Sequence, residues 1–440
     1  MSTRKRILSI LLWSVISAAF IGPGTVTTAA SSGASYGSAL LWALVFSTLA
    51  CIILQEAAAR ISIVRGKNLG QSINDYFENS SSRTLVLIMV AGAIITGTAA
   101  YEMGNLIGAV EGIKLLTDIP SFILVLVIGL VAAVILSIPS LRLVSTILGV
   151  LVVFMGLGFL ITAIMVKPDL REILRGSFIP SFPGEDSGTL VLALIGTTIV
   201  PYNLFLGSGL SKKGQSLREM RFGLFIAIIL GGIFSMAVLI AGSAIAGDFT
   251  FEAMAGVLDK RMGLAGKYLF GSGLFAAGFT SAVTAPLAAA VTLSGLYGQN
   301  KPELWKPGRL RYRLVWIIVL FTGVFFASLN IKPVPAIILA QALNGFLLPF
   351  VSVFLYLVLR KTAGQKSLMG TISGVLMLGV IYITLIIGLN SALKAILKVT
   401  GGGTQVGISA QLVIAGISLI IVLSVGLMAG NKSKNKKSID

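Results

Sequence analysis

The stretch Gly22-Pro23-Gly24-Thr25, set inside an apolar run from residue 7 to residue 35, decides how this 440-residue chain is read. Proline donates no backbone hydrogen bond and disfavours helix at the residue before it. A helix crossing this stretch must break, leaving peptide N–H and C=O groups without helical partners. In hydrocarbon such groups cost several kcal/mol unless protein, ligand or water satisfies them. A second motif, Val200-Pro201-Tyr202-Asn203, interrupts the apolar run at 188–211 in the same way. Paired breaks in corresponding halves of a chain point to the central binding site of a membrane transporter.

Working outward, the composition fits a chain that lives in lipid. Hydrophobic residues make up 56% and charged residues only 11%, against roughly 25% charged in soluble domains, and the mean hydropathy is +0.97. Twelve spans are expected, near 7–35, 38–62, 84–110, 119–138, 142–166, 188–211, 219–246, 264–297, 312–330, 334–359, 367–390 and 407–429. Each is long enough for a hydrocarbon core of roughly 30 Å, and their density of Gly, Ala and Ser suits close helix packing. The fold class expected is an all-α integral membrane protein, with one domain over 1–440. Helices 1–5 (7–166) and 6–10 (188–359) form two five-helix units, and the odd number inverts the second relative to the first. Helices 11–12 (367–429) are peripheral, and 430–440 is a basic tail.

The net charge of +18 does not point to nucleic acid, because its placement follows the membrane. With the N-terminus inside, 24 of the 34 Lys and Arg fall on the cytoplasmic side, and the outer loops hold 10 with nine acidic residues among them. This is the positive-inside bias. It places both termini in the cytoplasm, makes the lipid bilayer the partner, and suits a bacterial inner membrane. The basic tail Lys432 to Lys437 reads as a headgroup-binding feature. Arg4-Lys5-Arg6 ahead of an apolar run mimics a signal peptide, but the run continues past Gly22 into a second half without a convincing small-residue cleavage site, so a retained helix is expected. Cys51 is the single cysteine, so no disulfide framework exists. No zinc spacing, phosphate loop or catalytic triad is present, and neither an enzyme nor a bound cofactor is expected.

The polar residues within the spans are candidates for the site. Gly22 and Gly24 permit close backbone approach by a solute. The half-helix expected to start near Val26 aims its N–H groups and positive dipole end there, which favours an anion. Glu102 lies inside the third span, where a carboxylate is a functional candidate by default. Glu56 stands at i,i+4 spacing from Arg60 and reads as structure or gate. Thr280, Ser281 and Thr284 have two readings. Either they bond back to helix carbonyls, or Thr280 and Ser281 join carbonyls freed at Gly22 to Thr25 to hold Na⁺ as a coupling ion. Gln341 and Asn344 either close a solute pocket or bridge helices, and Asn203 is placed to cap the half-helix after the second break.

Between positions 10 and 350 these landmarks resemble the Nramp family of divalent metal-ion transporters. The family carries D-P-G-N in its first broken helix, where this chain has Gly22-Pro23-Gly24-Thr25, and M-P-H-N-L in its sixth, where it has Val200-Pro201-Tyr202-Asn203-Leu204. Similar too are Leu54-Gln55-Glu56-Ala57-Ala58-Ala59-Arg60 running on to Val64-Arg65-Gly66-Lys67, Gly278 with Ser281, Thr284 and Leu287-Ala288, and Gln341 with Leu348-Pro349-Phe350. The resemblance implies the LeuT-type fold, a 5+5 inverted repeat with helices 1 and 6 broken, and alternating access about a midplane site. It also implies that the family's metal-ligating Asp, Asn and Met fall on Gly22, Thr25 and Val200, its ligating backbone carbonyl on Thr197, and its sixth-helix His on Tyr202. The family's acidic pair in the third helix falls on Glu102 and Asn105.

Carboxylate and thioether ligands suit Mn²⁺ and Fe²⁺. Glycine, threonine and valine do not replace them, and the chain has no histidine to relay protons. The expected substrate-binding set is therefore Gly22, Pro23, Gly24, Thr25, Thr197, Val200, Pro201, Tyr202, Asn203 and Gln341. The coupling or gating set is Glu102, Asn105, Glu56, Thr280, Ser281 and Thr284. The function expected is a secondary transporter of a small anionic or zwitterionic solute, Na⁺-coupled in symport. The alternative is a divalent cation such as Mg²⁺ carried with its water shell, and a further alternative is a non-transporting receptor or scaffold.

Overall fold

The computed structural model describes residues 22–138, 142–211, 216–329, 331–362, 368–400 and 406–434. Its elements are α1 (Pro23–Tyr36), α2 (Leu41–Arg65), α3 (Leu69–Tyr76), α4 (Arg83–Lys114), α5 (Ser121–Ser137), α6 (Arg142–Val166), α7 (Leu170–Phe178) and α8 (Ser187–Thr198). There follow α9 (Pro201–Leu210), α10 (Leu217–Gly242), α11 (Phe251–Met262), α12 (Leu264–Tyr297), α13 (Leu310–Ser328), α14 (Pro333–Thr362), α15 (Leu368–Val399) and α16 (Ile408–Lys434). Among the described residues nine segments are long and apolar enough to cross a membrane, the first joining α1 and α2 across a 3-10 turn at Gly37–Leu40, with shorter apolar helices at Ser121–Ser137 and Val152–Val166.

Each expected span finds a helix within a few residues, except that positions 7–21 of the first lie outside the described residues. From the proline onward both motifs take the same local form. Pro23 and Pro201 each open a helix at its first position, where a missing N–H loses nothing. The residue before each is extended, Gly22 at φ −85°, ψ 174° and Val200 at φ −78°, ψ 120°. Two expectations are corrected here. The first half-helix begins at Pro23, not near Val26, because proline's fixed φ suits the first helical position, and Val26 N–H donates back to Gly22 O at 3.1 Å. Asn203 does not cap α9: its backbone N–H donates to Val200 O at 3.0 Å, and its side chain makes no capping bond.

Polar connections between the spans hold helices of their own. Within 64–83, α3 is started by a capping box in which Asn68 accepts from Gln71 N–H while Gln71 Oε1 accepts from Asn68 N–H. Asp169 and Thr250 cap α7 and α11 in turn. The boundary of the basic tail also moves, because α16 stays helical to Lys434, and 435–440 lie outside the described residues.

The bundle is centred on α4, which packs along α12, α13 and α14, while α1 lies against α8, α10 and α14. Glycines sit where backbones meet. A Cβ at Gly196 of α8 would overlap the Gln341 carbonyl of α14, and one at Gly345 would overlap Leu192 O. Likewise a Cβ at Gly33 of α1 would strike Leu239 O of α10, and one at Gly242 would come within 2.5 Å of Ala30 O. Small residues at these crossings bring helices together by van der Waals contact, as lipid-embedded bundles require. The outward side chains are apolar, among them Phe122 and Leu130 on α5, Phe321 on α13 and Leu412 and Leu427 on α16. They form the belt that faces hydrocarbon.

Candidate functional site

The two breaks lie beside each other. Thr25 on the first turn of α1 and Thr197 near the end of α8 join hydroxyl to hydroxyl at 2.8 Å, both buried. The Thr197 carbonyl would ordinarily accept from the N–H of residue 201, but that residue is proline and has none. The Tyr101 hydroxyl on α4 takes the vacancy, donating toward Thr197 O at 3.3 Å and lying 3.4 Å from Thr197 Oγ1. Tyr202, on α9, meets the Tyr101 ring edge-on at 5.6 Å between centroids. Gln341 on α14 closes the other side, its carboxamide lying where a Cβ on Gly24 would be. Pro23 packs into the space left by Gly108 of α4. Val200, Pro201 and Asn203 are buried around the same break.

Several buried polar atoms here have no hydrogen-bond partner. They include Gln341 Oε1 and both polar side-chain atoms of Asn203, with Thr27, Thr28 and Ser31 hydroxyls further along α1, while the Glu102 carboxyl is paired with Asn105 one turn on. Leaving such a group unsatisfied costs about 1–3 kcal/mol. A buried group left so marks a place for a ligand or ordered water. The Glu102 side chain lies against Gly323 of α13, at a spot where a Cβ would strike Glu102 Cγ. Glu102 forms no ion pair among the described residues, and no group of three or more His, Cys, Asp or Glu able to hold a metal occurs among them.

Other candidates are placed differently. Thr280 donates to Ala276 O at 2.6 Å and Thr284 to Thr280 O at 3.0 Å, so both hydroxyl protons are used within α12. Asn344 bridges helices, donating to Gly97 O of α4 at 3.2 Å. Glu56 belongs to a separate network. It pairs with Arg60 at 3.0 Å and with Arg221 of α10 at 2.8 Å, and Arg60 also donates to Ser373 Oγ of α15. The Arg60 pairing follows from helical spacing, whereas Arg221 is 165 residues away and gave no sequence signal. Tyr101 was missed as well. Its signal was adjacency to Glu102 within an apolar span, which does not by itself indicate that the ring reaches across to a different helix.

Comparison with known proteins places this geometry. A family model, natural resistance-associated macrophage protein-like (Nramp), matches residues 14–397. The chain is 28% identical over 410 residues to a protein of Deinococcus radiodurans named divalent metal cation transporter MntH, covering 88% of this chain and 90% of that one. A Pectobacterium carotovorum protein of the same name is 28% identical over 409 residues, covering 88% and 94%. Among solved structures, a manganese transporter of Eremococcus coleocola superposes with a TM-score of 0.70 at 21% identity, over 95% of this chain and 92% of that one. Mhp1, a nucleobase-cation-symport-1 family transporter in a closed conformation, gives 0.53 at 15% identity, over 96% and 93%. The fold is thus the LeuT-type transporter fold.

Proposed function

The chain belongs to the Nramp family, and from that premise we propose that it carries a divalent metal cation across the membrane by alternating access, the ion keeping part of its water. The relatives' names support the cation, and the residue chemistry supports the water. The donors at the breaks are neutral oxygens, from the Thr25 and Thr197 hydroxyls and the Gln341 carboxamide. Hard oxygen donors suit Mg²⁺, Ca²⁺ and Mn²⁺, and Mg²⁺ usually keeps several waters when it binds. Water-bridged contacts are nearly as favourable as direct ones. Gln341 Oε1 carries the reading: it is buried without a partner beside Gly24, so an oxygen acceptor is poised where a hydrated ion would donate. Glu102, on the same helix as Tyr101, supplies the carboxyl group nearest in sequence to the cluster. Opening to either side is assigned to the half-helices that meet at the breaks.

A second reading rests on one specific observation. Gly22, Thr25, Thr197 and Val200 bring no fixed anion to the breaks, and α1 begins there with its N–H end. That combination favours a small anionic or zwitterionic solute, coupled to Na⁺. Reconstitution of the full chain in liposomes distinguishes the two. Influx of Mg²⁺ or Mn²⁺ that drops about tenfold in Gln341→Ala, equivalent to about 1.4 kcal/mol, supports the cation. No divalent flux, with uptake of a labelled carboxylate or amino acid under a Na⁺ gradient, replaces it with the second reading. Absence of any flux in a broad solute screen points to a receptor.

A further inference from the structure

A break in a membrane helix exposes carbonyl oxygens, and a carbonyl is the strongest neutral ligand that such a break offers a cation. Here the carbonyl that loses its helical donor to Pro201, that of Thr197, is already engaged. The Tyr101 hydroxyl lies 3.3 Å from it, and the ring is held in place by burial and by the edge of Tyr202. The same Thr197 side chain reaches Thr25 at 2.8 Å. One chain of hydroxyls thus ties α4, α8 and α1 together beside the second break, and its phenolic member faces the carbonyl.

We propose that Tyr101 is the selectivity-determining positioning residue of this site: by donating to the Thr197 carbonyl it takes up one of that oxygen's two lone pairs and weakens it as a direct ligand, which favours cations that keep their water. The inference rests on the divalent-cation reading above. Its physical basis is the difference in dehydration between ions. Mg²⁺ gives up water reluctantly and gains little from an added carbonyl, whereas larger or softer divalent ions accept direct oxygen ligands readily. With the phenol in place the pocket favours Mg²⁺. Without it the bare carbonyl becomes available, and ions such as Mn²⁺ and Ca²⁺ gain.

The test compares the wild-type chain with Tyr101→Phe, which removes only the hydroxyl, in proteoliposomes. Mg²⁺ influx is titrated with competing Mn²⁺ and Ca²⁺, and binding of each ion is measured separately by calorimetry in detergent. The expected result is a shift of the Mn²⁺-to-Mg²⁺ affinity ratio by about tenfold toward Mn²⁺, the worth of one good polar contact. Tyr101→Leu, also without a hydroxyl and without a metal-binding atom, gives a second measure of the same loss if the first variant folds poorly. A purely structural role would change both ions in parallel. A ratio unchanged within about twofold, or parallel losses, in a wild-type background that carries divalent ions overturns this inference alone. A wild-type chain that neither binds nor carries any divalent ion overturns the parent reading and this inference with it.

Discussion

At Gly22 and Val200 the breaks present no side-chain ligand, and this residue-scale fact can be reversed by substitution. Gly22→Asp with Val200→Met places a carboxylate and a thioether beside Thr25 and Thr197. Calorimetry is expected to show Mn²⁺ binding strengthened by at least about tenfold, and unchanged Mn²⁺ binding would mean that these two positions do not face the ion. Gly24 has a different role, since a Cβ there collides with the Gln341 carboxamide. Gly24→Ala is therefore expected to lower divalent-ion affinity by about tenfold or more through displacement of Gln341. Thermal stability should fall by no more than an ordinary point substitution, about 1 kcal/mol. The break residues were legible because proline acts on its own neighbours. Tyr101 and Arg221 were not, because their partners lie on other helices, and nothing in the local pattern of either segment indicates which helix it will face.

The Glu56–Arg60–Arg221 network ties α2 to α10 at the element scale, with Ser373 of α15 as a further partner. Arg221 is about one third exposed and Glu56 nearly buried, so the network is worth less than a fully buried triad. Removing the shared carboxylate leaves two guanidinium groups facing each other. Glu56→Gln is expected to cost about 1–2 kcal/mol, below the 3–5 of a buried pair, read as a lower melting temperature in detergent. An unchanged melting temperature would show that the three groups are solvated independently. The long helices were legible from apolar length alone. The short ones were not, because α3, α7 and α11 sit in polar connections whose hydropathy resembles a loop. Their cap residues Asn68 with Gln71, Asp169 and Thr250 are sequence-local signals, and a search for caps rather than for hydrophobicity would have found them.

Over the whole molecule, the two half-helices α1 and α9 stand at corresponding places in two five-helix units, and a transport cycle has to move them. Ser208, near the end of α9, is buried, bonded to Ser62 Oγ at 2.9 Å and to the Leu69 N–H at 2.5 Å. These bonds tie the end of α9 to α2 and to the start of α3. Because Cys51 is the only cysteine in the chain and is buried, Ser208→Cys gives a clean reporter. A membrane-impermeant maleimide is expected to leave it unmodified at rest and to label it when a divalent-ion gradient drives turnover. Protection that persists through measured flux would place the moving element elsewhere. The paired prolines made this architecture legible, together with the alternation of charge across the loops. The tie at Ser208 was not, because it depends on which loop helix folds beneath α9. The glycines that let α1 lie on α10 carry a last consequence. Where Gly33 meets Leu239 and Gly242 meets Ala30, main chain rests on main chain with no side chain between to act as a bearing. Any bulk added at either glycine would pry α1 away from α10, and with it the threonine that clasps Thr197.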